Sequence, residues 1–193
     1  MSSREKILAA VKMSQPELQP LPDIAGINAV SFENALQQFS VVLKNIGGTV
    51  LQVNNIEEVG AYIKNTFAGK ECITTVTGLT GVSMIDENAD PHSLENTELA
   101  IINAQFAVAE NGAVWVTEQE YLVRVLPFIC NHLAVIIDKN NIVNTMHQAY
   151  NFIGKMDYGF GVFIAGPSKT ADIEQSLVLG AHGPKTMTVF VLA

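Results

Sequence analysis

Apolar residues recur along this chain in two rhythms, and their alternation predicts its architecture. Ile7, Leu8 and Val11 share one face of a short helix over residues 3–13. Pro16, Pro20 and Pro22 then prevent the helix from continuing, so residues 14–23 read as an extended linker. Helical spacing returns over 31–45 through Phe32, Leu36, Phe39, Val42 and Leu43, with Ser31 as the expected N-cap and Gly47-Gly48 past the end. From there strands and helices take turns. A strand is expected at Thr49–Val53, a helix at Ile56–Phe67, and a strand at Cys72–Val76 ending in Thr77-Gly78-Leu79-Thr80-Gly81. A polar loop over 86–98 precedes a strand-like region, Leu99–Val108, which Asn111-Gly112 turns into Ala113-Val114-Trp115-Val116 as a hairpin. Further strands are expected at His132–Ile137, Gly161–Ala165 and Met187–Leu192, with helices at Asn141–Phe152 and Asp172–Leu179 between them.

Such alternation implies an α/β fold, a three-layer sandwich with a mainly parallel sheet that the central hairpin makes mixed. A helical arm with its proline-rich linker, residues 1–23, precedes a single domain, residues 24–193. Composition narrows the functional classes. Charged residues make up only 16% of the chain against a usual share of about 25%, which points to a large core or a subunit interface, and with the hinged arm to a homodimer. A formal net charge of −8 without a basic stripe argues against nucleic acid. Cys72 and Cys130 are too few for the four thiolates an iron–sulfur cluster normally takes, and a reducing compartment suits them. With no signal-like apolar stretch at the N-terminus and no run long enough to cross a bilayer, the expected location is the cytoplasm, away from membranes.

Candidate chemistry concentrates in residues 165–184, AGPSKTADIEQSLVLGAHGP. If Gly161–Ala165 is a parallel strand, the turn after it leaves the carboxyl edge of the sheet, where open α/β sheets bind ligands. Gly166 would let backbone approach a ligand; Ser168, Lys169 and Thr170 would offer donors beside the free N–H groups of a helix start, a natural anion site. Asp172, Glu174, His182 and Gly183 complete the set of ligand-binding candidates. The same residues also suit plain helix capping, with Ser168 or Thr170 as cap, Asp172 and Glu174 complementing the dipole and Gly180 ending the helix. Neither a P-loop nor a GxGxxG fingerprint is present, so no cofactor is named.

This stretch resembles the signature of the lactate utilization protein C family, the LUD domain, which reads G-P-S-(R/K)-T-A-D-I-E followed by G-x-H-G-P. Two shorter similarities support it: Phe106-Ala107-Val108-Ala109-Glu110-Asn111-Gly112-Ala113, and Arg124-Val125-Leu126-Pro127 ahead of His132-Leu133-Ala134-Val135. The resemblance spans about residues 28–193. It implies a fold like ribose-5-phosphate isomerase, glucosamine-6-phosphate deaminase and the CoA transferases. It also implies a role in oxidising L-lactate to pyruvate beside iron–sulfur redox proteins. The polar turn adds the expectation of a small anionic metabolite as ligand, and the cysteine count that of no cluster in this chain.

Ala109-Glu110-Asn111-Gly112 departs from the family pattern and resembles the S-E-N-G stretch of CoA transferases, whose glutamate becomes a covalent CoA thioester. Glu110 is therefore the catalytic candidate, as nucleophile or base, although Asn-Gly at a hairpin explains the turn by itself. His132 is a further candidate through the family resemblance. His92, Glu95 and His147 read as solvated residues, and no metal site is expected. Three functional readings follow: a lactate-utilization accessory protein, an independent CoA-transferase-like or sugar-phosphate-isomerase-like enzyme using Glu110, or a ligand-sensing or scaffold module. Whether the chain is itself an enzyme stays open at this point.

Overall fold

A computed structural model of the chain describes residues 2–20, 30–154, 156–170 and 178–193. Helix α1 (Ser3–Met13) is closed by a full capping box, Ser2 with Glu5, yet buries none of its residues. Helix α2 (Ala35–Asn45) starts four residues later than the apolar spacing predicts. Asn34 caps it, its side chain accepting from the Gln37 N–H, and Ser31 lies outside. Then come β1 (Thr49–Val53), α3 (Ile56–Thr66), β2 (Cys72–Thr74), the two-residue β3 (Ser83–Met84) and β4 (Leu99–Asn103). The hairpin strands β5 (Phe106–Val108) and β6 (Ala113–Thr117) lead through the single-turn helices α4 (Glu118–Tyr121) and α5 (Leu126–Ile129) to β7 (His132–Asp138). The last elements are β8 (Ile142–Val143), α6 (Met146–Ile153), β9 (Gly161–Ile164), β10 (Lys169–Thr170), β11 (Val178–Leu179) and β12 (Thr186–Leu192).

Six strands pair in the order β1-β12-β7-β4-β2-β3, and every pairing in this central sheet is parallel. Strand alternation sorts its side chains onto two faces. Leu99, Ile101, Ala134, Ile136 and Phe190 point to one face and pack with Val59 and Ile63 of α3. Ala100, Ile102, Leu133, Val135, Ile137, Val189 and Val191 point to the other, where they meet Phe39 and Leu43 of α2 and a second, four-stranded sheet. That sheet runs β8-β5-β6-β9 and carries the antiparallel hairpin, so the hairpin does not mix into the parallel sheet. Helix α6 closes the far side of the second sheet through Ala149 and Ile153 against Phe106, Val108 and Trp115. The result is the expected α/β sandwich: α3, the parallel sheet, and a layer of α2 with the smaller sheet.

Local chemistry explains where the pattern misleads. Leu99–Val108 is two strands in two sheets, because the Ala104 N–H donates to Ile136 O while the next, Gln105 N–H, donates to Trp115 O. The expected helix from Asn141 begins only at Met146; Ile142 and Val143 are β-branched and pair with Ala107 and Val108 instead. Gly161–Ile164 is not a buried parallel strand. It is a half-buried edge strand antiparallel to β6, and Gly161 lies so close to the Trp115 ring that an added Cβ would sit 2.6 Å from Trp115 Cη2. Of the expected helix Asp172–Leu179, residues 171–177 lie outside the described part; Val178 and Leu179 are strand, paired with Thr170 and Lys169.

Candidate functional site

The Glu110 turn is built against α2 and α6. Gly112 takes φ 70, and a Cβ there would lie 3.1 Å from the backbone N and Cα of Leu43, so only glycine lets the hairpin rest on α2. Asn111 Oδ1 accepts from the Ala113 N–H, an ordinary Asx turn. Glu110 is exposed, donates its N–H to Asn144 O, and accepts the Met146 N–H on Oε1 at 2.9 Å. Its carboxylate therefore serves the first turn of α6, where a negative charge is favourable.

The two polar turns of the 165–184 stretch meet. Gly166, at φ 74, presses against the end of α2, and a Cβ would lie 3.0 Å from Ile46 O. Ser168 donates its N–H to Pro184 O at 2.8 Å and accepts the Gly180 N–H on its carbonyl at 3.0 Å. A Cβ on Gly183 would lie 3.2 Å from Ser168 Cβ. With the pairing of β10 and β11, residues 166–170 and 178–184 form one unit. Lys169 is exposed, and its Nζ would lie 3.7 Å from a Cβ on Gly47, just past the C-terminus of α2, where a cation is favourable. The Lys185 side chain packs on Gly180, and His182 is exposed. Thr170 is half-buried in the ladder, whereas Asp172 and Glu174 fall among the residues not described.

This unit does not sit at the carboxyl edge of the parallel sheet. Gly47 precedes β1, Lys185 precedes β12, and Lys185 donates its N–H to Asn131 O just before β7. The joined turns thus cover the amino ends of β1, β12 and β7. The Ser168 and Gly180 N–H groups are already taken, so an anion here would be held by the side chains of Lys169, Lys185, Ser168 and His182.

A polar cluster adjoins the turns at the starts of β4, β7 and β12. His132 Nδ1 lies 2.7 Å from Thr186 Oγ1, and its Nε2 lies 3.8 Å from Glu98 Oε1. Asn131 Nδ2 donates to Glu98 Oε2 at 3.1 Å, and Lys70 Nζ stands 3.7 Å from Glu98 Oε1. A cavity of about 10 Å³ beside His132, Thr186 and Tyr62 is the size of one water. Sequence reasoning picked out His132 but missed Glu98 and Thr186. The signal was present: each is a polar residue opening an apolar run, and the register sets Leu99, His132 and Thr186 side by side.

A second network at the opposite edge was missed entirely. Glu120 accepts from Gln105 Nε2 (3.0 Å) and from the Thr117 N–H and hydroxyl (2.6 and 2.8 Å), while Thr75 Oγ1 donates to Glu120 O at 2.5 Å. Glu118 accepts the Gly159 and Phe160 N–H groups, and Arg124 lies over the Phe160 ring at 4.6 Å. Its own main-chain N–H, then that of Phe160, hold the Glu118 carboxyl below the usual carboxylate range. Burial pushes the Cys130 thiol up to about 12, and burial followed by the charge of Glu98 raises Cys72. Among the described residues no group of three or more His, Cys, Asp or Glu is placed to hold a metal ion. No described helix is long and apolar enough to cross a membrane.

Residues 85–192, more than half of the chain, match the LUD domain family. The chain belongs to that family. The LUD match takes in the whole second sheet, Glu98, Asn131, His132 and Thr186 of the polar cluster, and the joined turns. The chain is similar to lactate utilization protein C of Anoxybacillus flavithermus, at 28% identity over 166 residues, 86% of this chain and 71% of that protein. The same-named protein of Geobacillus sp. is 27% identical over 203 residues, 98% of this chain and 79% of its own. The one from Shouchella clausii is 35% identical over 112 residues, and there the match spans about half of each chain (53% and 48%). The crystal structure of a DUF162 family protein from Deinococcus radiodurans shares the fold, with a TM-score of 0.62 at 15% identity over 86% of this chain and 100% of that one.

Three outcomes test this reading of the carboxylates in the LUD domain. Glu118 has a folded pKa below its unfolded value, so it stabilises the fold above the unfolded value of about 4.5, and that contribution is lost as pH falls through the folded one. Wild type is expected to lose melting temperature faster than Glu118→Gln on acidification from about pH 4.5, and to be the more stable of the two at neutral pH. Equal slopes in a thermal-melt series across pH would refute this. Glu110→Ala is expected to cost about 1 kcal/mol in urea unfolding through the lost contact with α6. Acyl-CoA is expected to leave no adduct on Glu110 by intact mass; an adduct that Glu110→Gln abolishes would restore the nucleophile role.

Proposed function

We propose that this LUD domain protein is a cytoplasmic lactate-utilization accessory protein that acts with iron–sulfur redox partners in oxidising L-lactate to pyruvate. It binds a small anionic metabolite at the joined turns. The observation that carries the reading is the meeting of the Gly166–Thr170 turn with Gly180–Pro184, which sets Ser168 beside Gly180, Gly183 and Pro184 on segments that also carry Lys169, His182 and the following Lys185, in a chain of net charge −8. The relatives named lactate utilization protein C supply the biological context. Oxidising a hydroxy acid to a keto acid releases two electrons, and a protein whose two cysteines are buried free thiols is poorly equipped to relay them through a cluster of its own. The electron carriers are therefore assigned to partners, and this chain to ligand handling. Glu110, already engaged with α6, gives the transferase-like alternative no specific support.

A ligand that binds only the folded chain stabilises it by about 2.7 kcal/mol at a hundredfold excess over its dissociation constant. L-lactate, pyruvate or inorganic phosphate is expected to raise the melting temperature, and Lys169→Ala or Lys185→Ala to shrink the rise. Ser168→Ala should weaken it less, since a charge is worth more to an anion than a hydroxyl. No rise with any of the three anions, or a full rise in both lysine variants, refutes the site. Failure of a chromosomal deletion to impair growth on L-lactate refutes the pathway.

We also assign a homodimer. Its support is α1, where Ile7, Leu8 and Val11 are each more than half exposed although the helix is capped. A helix of 11 residues is marginal in water by itself, so this face calls for cover. Light scattering is expected to give twice the chain mass, falling to one in the double variant Ile7→Glu, Val11→Glu; a monomeric wild type disposes of the assignment.

A further inference from the structure

The parallel sheet is open along the outer side of β1. Strand β1 stands last in the pairing order and meets only β12. Along a strand, the main-chain N–H and C=O groups of successive residues point to opposite sides. Ala193 donates its N–H to Val53 O, so Val53, and with it Leu51 and Thr49, faces β12. Val50 and Gln52 face away. Among the described residues nothing bonds to the N–H and C=O groups that these two turn outward. The outward run is closed at both ends. Gly48 gives its N–H to Leu43 O at 2.8 Å, and Asn54 gives its N–H to Glu58 Oε2 at 3.1 Å.

Proteins ordinarily blunt such sides with short strands, charges, proline or a bulge. The other outer strands follow that practice. Strand β3 has two residues and is followed by Asp86 and Glu87; β8 has two residues and follows Asp138 and Lys139. Strand β9 has four residues and opens with Gly161, a weak strand former. By contrast β1 has five, Thr-Val-Leu-Gln-Val, in unbroken register with β12, and Gly47–Asn55 holds no charged residue. That stretch points to the occupant. A second copy of the chain brings the same net charge of −8, so a two-fold contact must not set like charges opposite each other. A two-fold axis beside Leu51 sets Leu51 opposite Leu51, Val50 opposite Gln52 and Thr49 opposite Val53. Val50 and Gln52 of each strand then exchange N–H and C=O with Gln52 and Val50 of the other, and no outward main-chain group is left over. We propose that β1 pairs in this way with β1 of a second copy, joining two parallel sheets into one continuous sheet. The inference rests on the homodimer assigned above and names the surface through which it forms. A five-residue ladder is small beside the roughly 1,200 Å² of a stable interface, so the exposed apolar face of α1 adds the area that the pairing lacks.

Cysteine cross-linking of the full chain reads this register directly. Opposed residues of a non-hydrogen-bonded antiparallel pair have Cα atoms about 4.5 Å apart, within disulfide reach. Leu51→Cys is expected to give a covalent dimer on mild oxidation. Thr49→Cys is expected to give none, because the two Thr49 positions stand roughly 13 Å apart along the paired strands. Cys72 and Cys130 are buried, so the wild type supplies the background. Gln52 is exposed, and Gln52→Pro removes only an outward N–H, which an outer strand tolerates. Its fold should survive while light scattering falls from twice the chain mass to one. In the wild type the Val50 and Gln52 amides are expected to exchange with deuterium about tenfold or more slowly than free amides. A dimeric wild type overturns the β1 pairing, and leaves the homodimer standing, if Leu51→Cys gives no cross-link, if Gln52→Pro stays dimeric, or if those two amides exchange as free ones. A monomeric wild type overturns both.

Discussion

The close approach of two glycine backbones to the last turn of α2 sets the arrangement of one whole side of the molecule. Gly112 stands against Leu43, and Gly166 against Ile46, both in the left-handed region and both too near for a side chain. One ends the β5–β6 hairpin and the other follows β9, so the two contacts index opposite edges of the second sheet's central strand to the same helix. Phe39 and Leu43, fully buried on α2, then fill the space between that sheet and the parallel one. A residue with a Cβ at either glycine would push the sheet away from the helix, opening voids that a close-packed interior tolerates poorly. Placement of the candidate sites follows. The Glu110 turn is carried by the first contact, and the joined turns at Ser168 and Gly183 by the second.

Much of the parallel sheet was legible in the sequence, because central strands such as His132–Asp138 are buried on both faces and read as apolar runs, and the edge strand Thr49–Val53 is bracketed by Gly47-Gly48 and Asn54-Asn55. Thr49–Val53 was recovered residue for residue, and His132–Ile137 to within one residue. The second sheet was harder for a physical reason. Gly161–Ala165 is as apolar as a central strand, but apolarity records burial and not the direction of the partner. Its antiparallel pairing with β6 depends on contacts about 45 residues away in sequence, which no local window contains. The same holds at Ala104-Gln105, where the chain changes sheets without a proline, a glycine or a charge to mark it.

Site residues divided along the same line. The motif-bearing residues Ser168, Lys169, His182 and Gly183 do come together, but their ends of the strands are the amino ends, since the strand before them is antiparallel. Glu110 was noticed as a carboxylate at a turn and is occupied by an α6 N–H. Glu98, Asn131 and Thr186 around His132, and Glu120 with Gln105 and Thr75, have no motif at all. Their side chains are brought together by strand register and crossovers, so a polar residue opening an apolar run marks Glu98 and Thr186 without showing what they meet.

The two edges of the parallel sheet are physically unlike, and this bears on how one LUD domain could divide its labour. At the amino edge, Glu98, Asn131, His132 and Thr186 tie three strands together side chain to side chain, and the joined turns lie over them with their N–H groups already spent. An anion arriving there meets flexible lysines on a fixed frame, a recipe for recognising charge with little demand on shape. At the carboxyl edge, the strands on either side of β12 lead away to opposite faces, and Gln52, Asn54 and Lys139 around its end are exposed. The amino edge is thus braced strand to strand by side chains, whereas the strands flanking β12 part to opposite faces at the carboxyl edge.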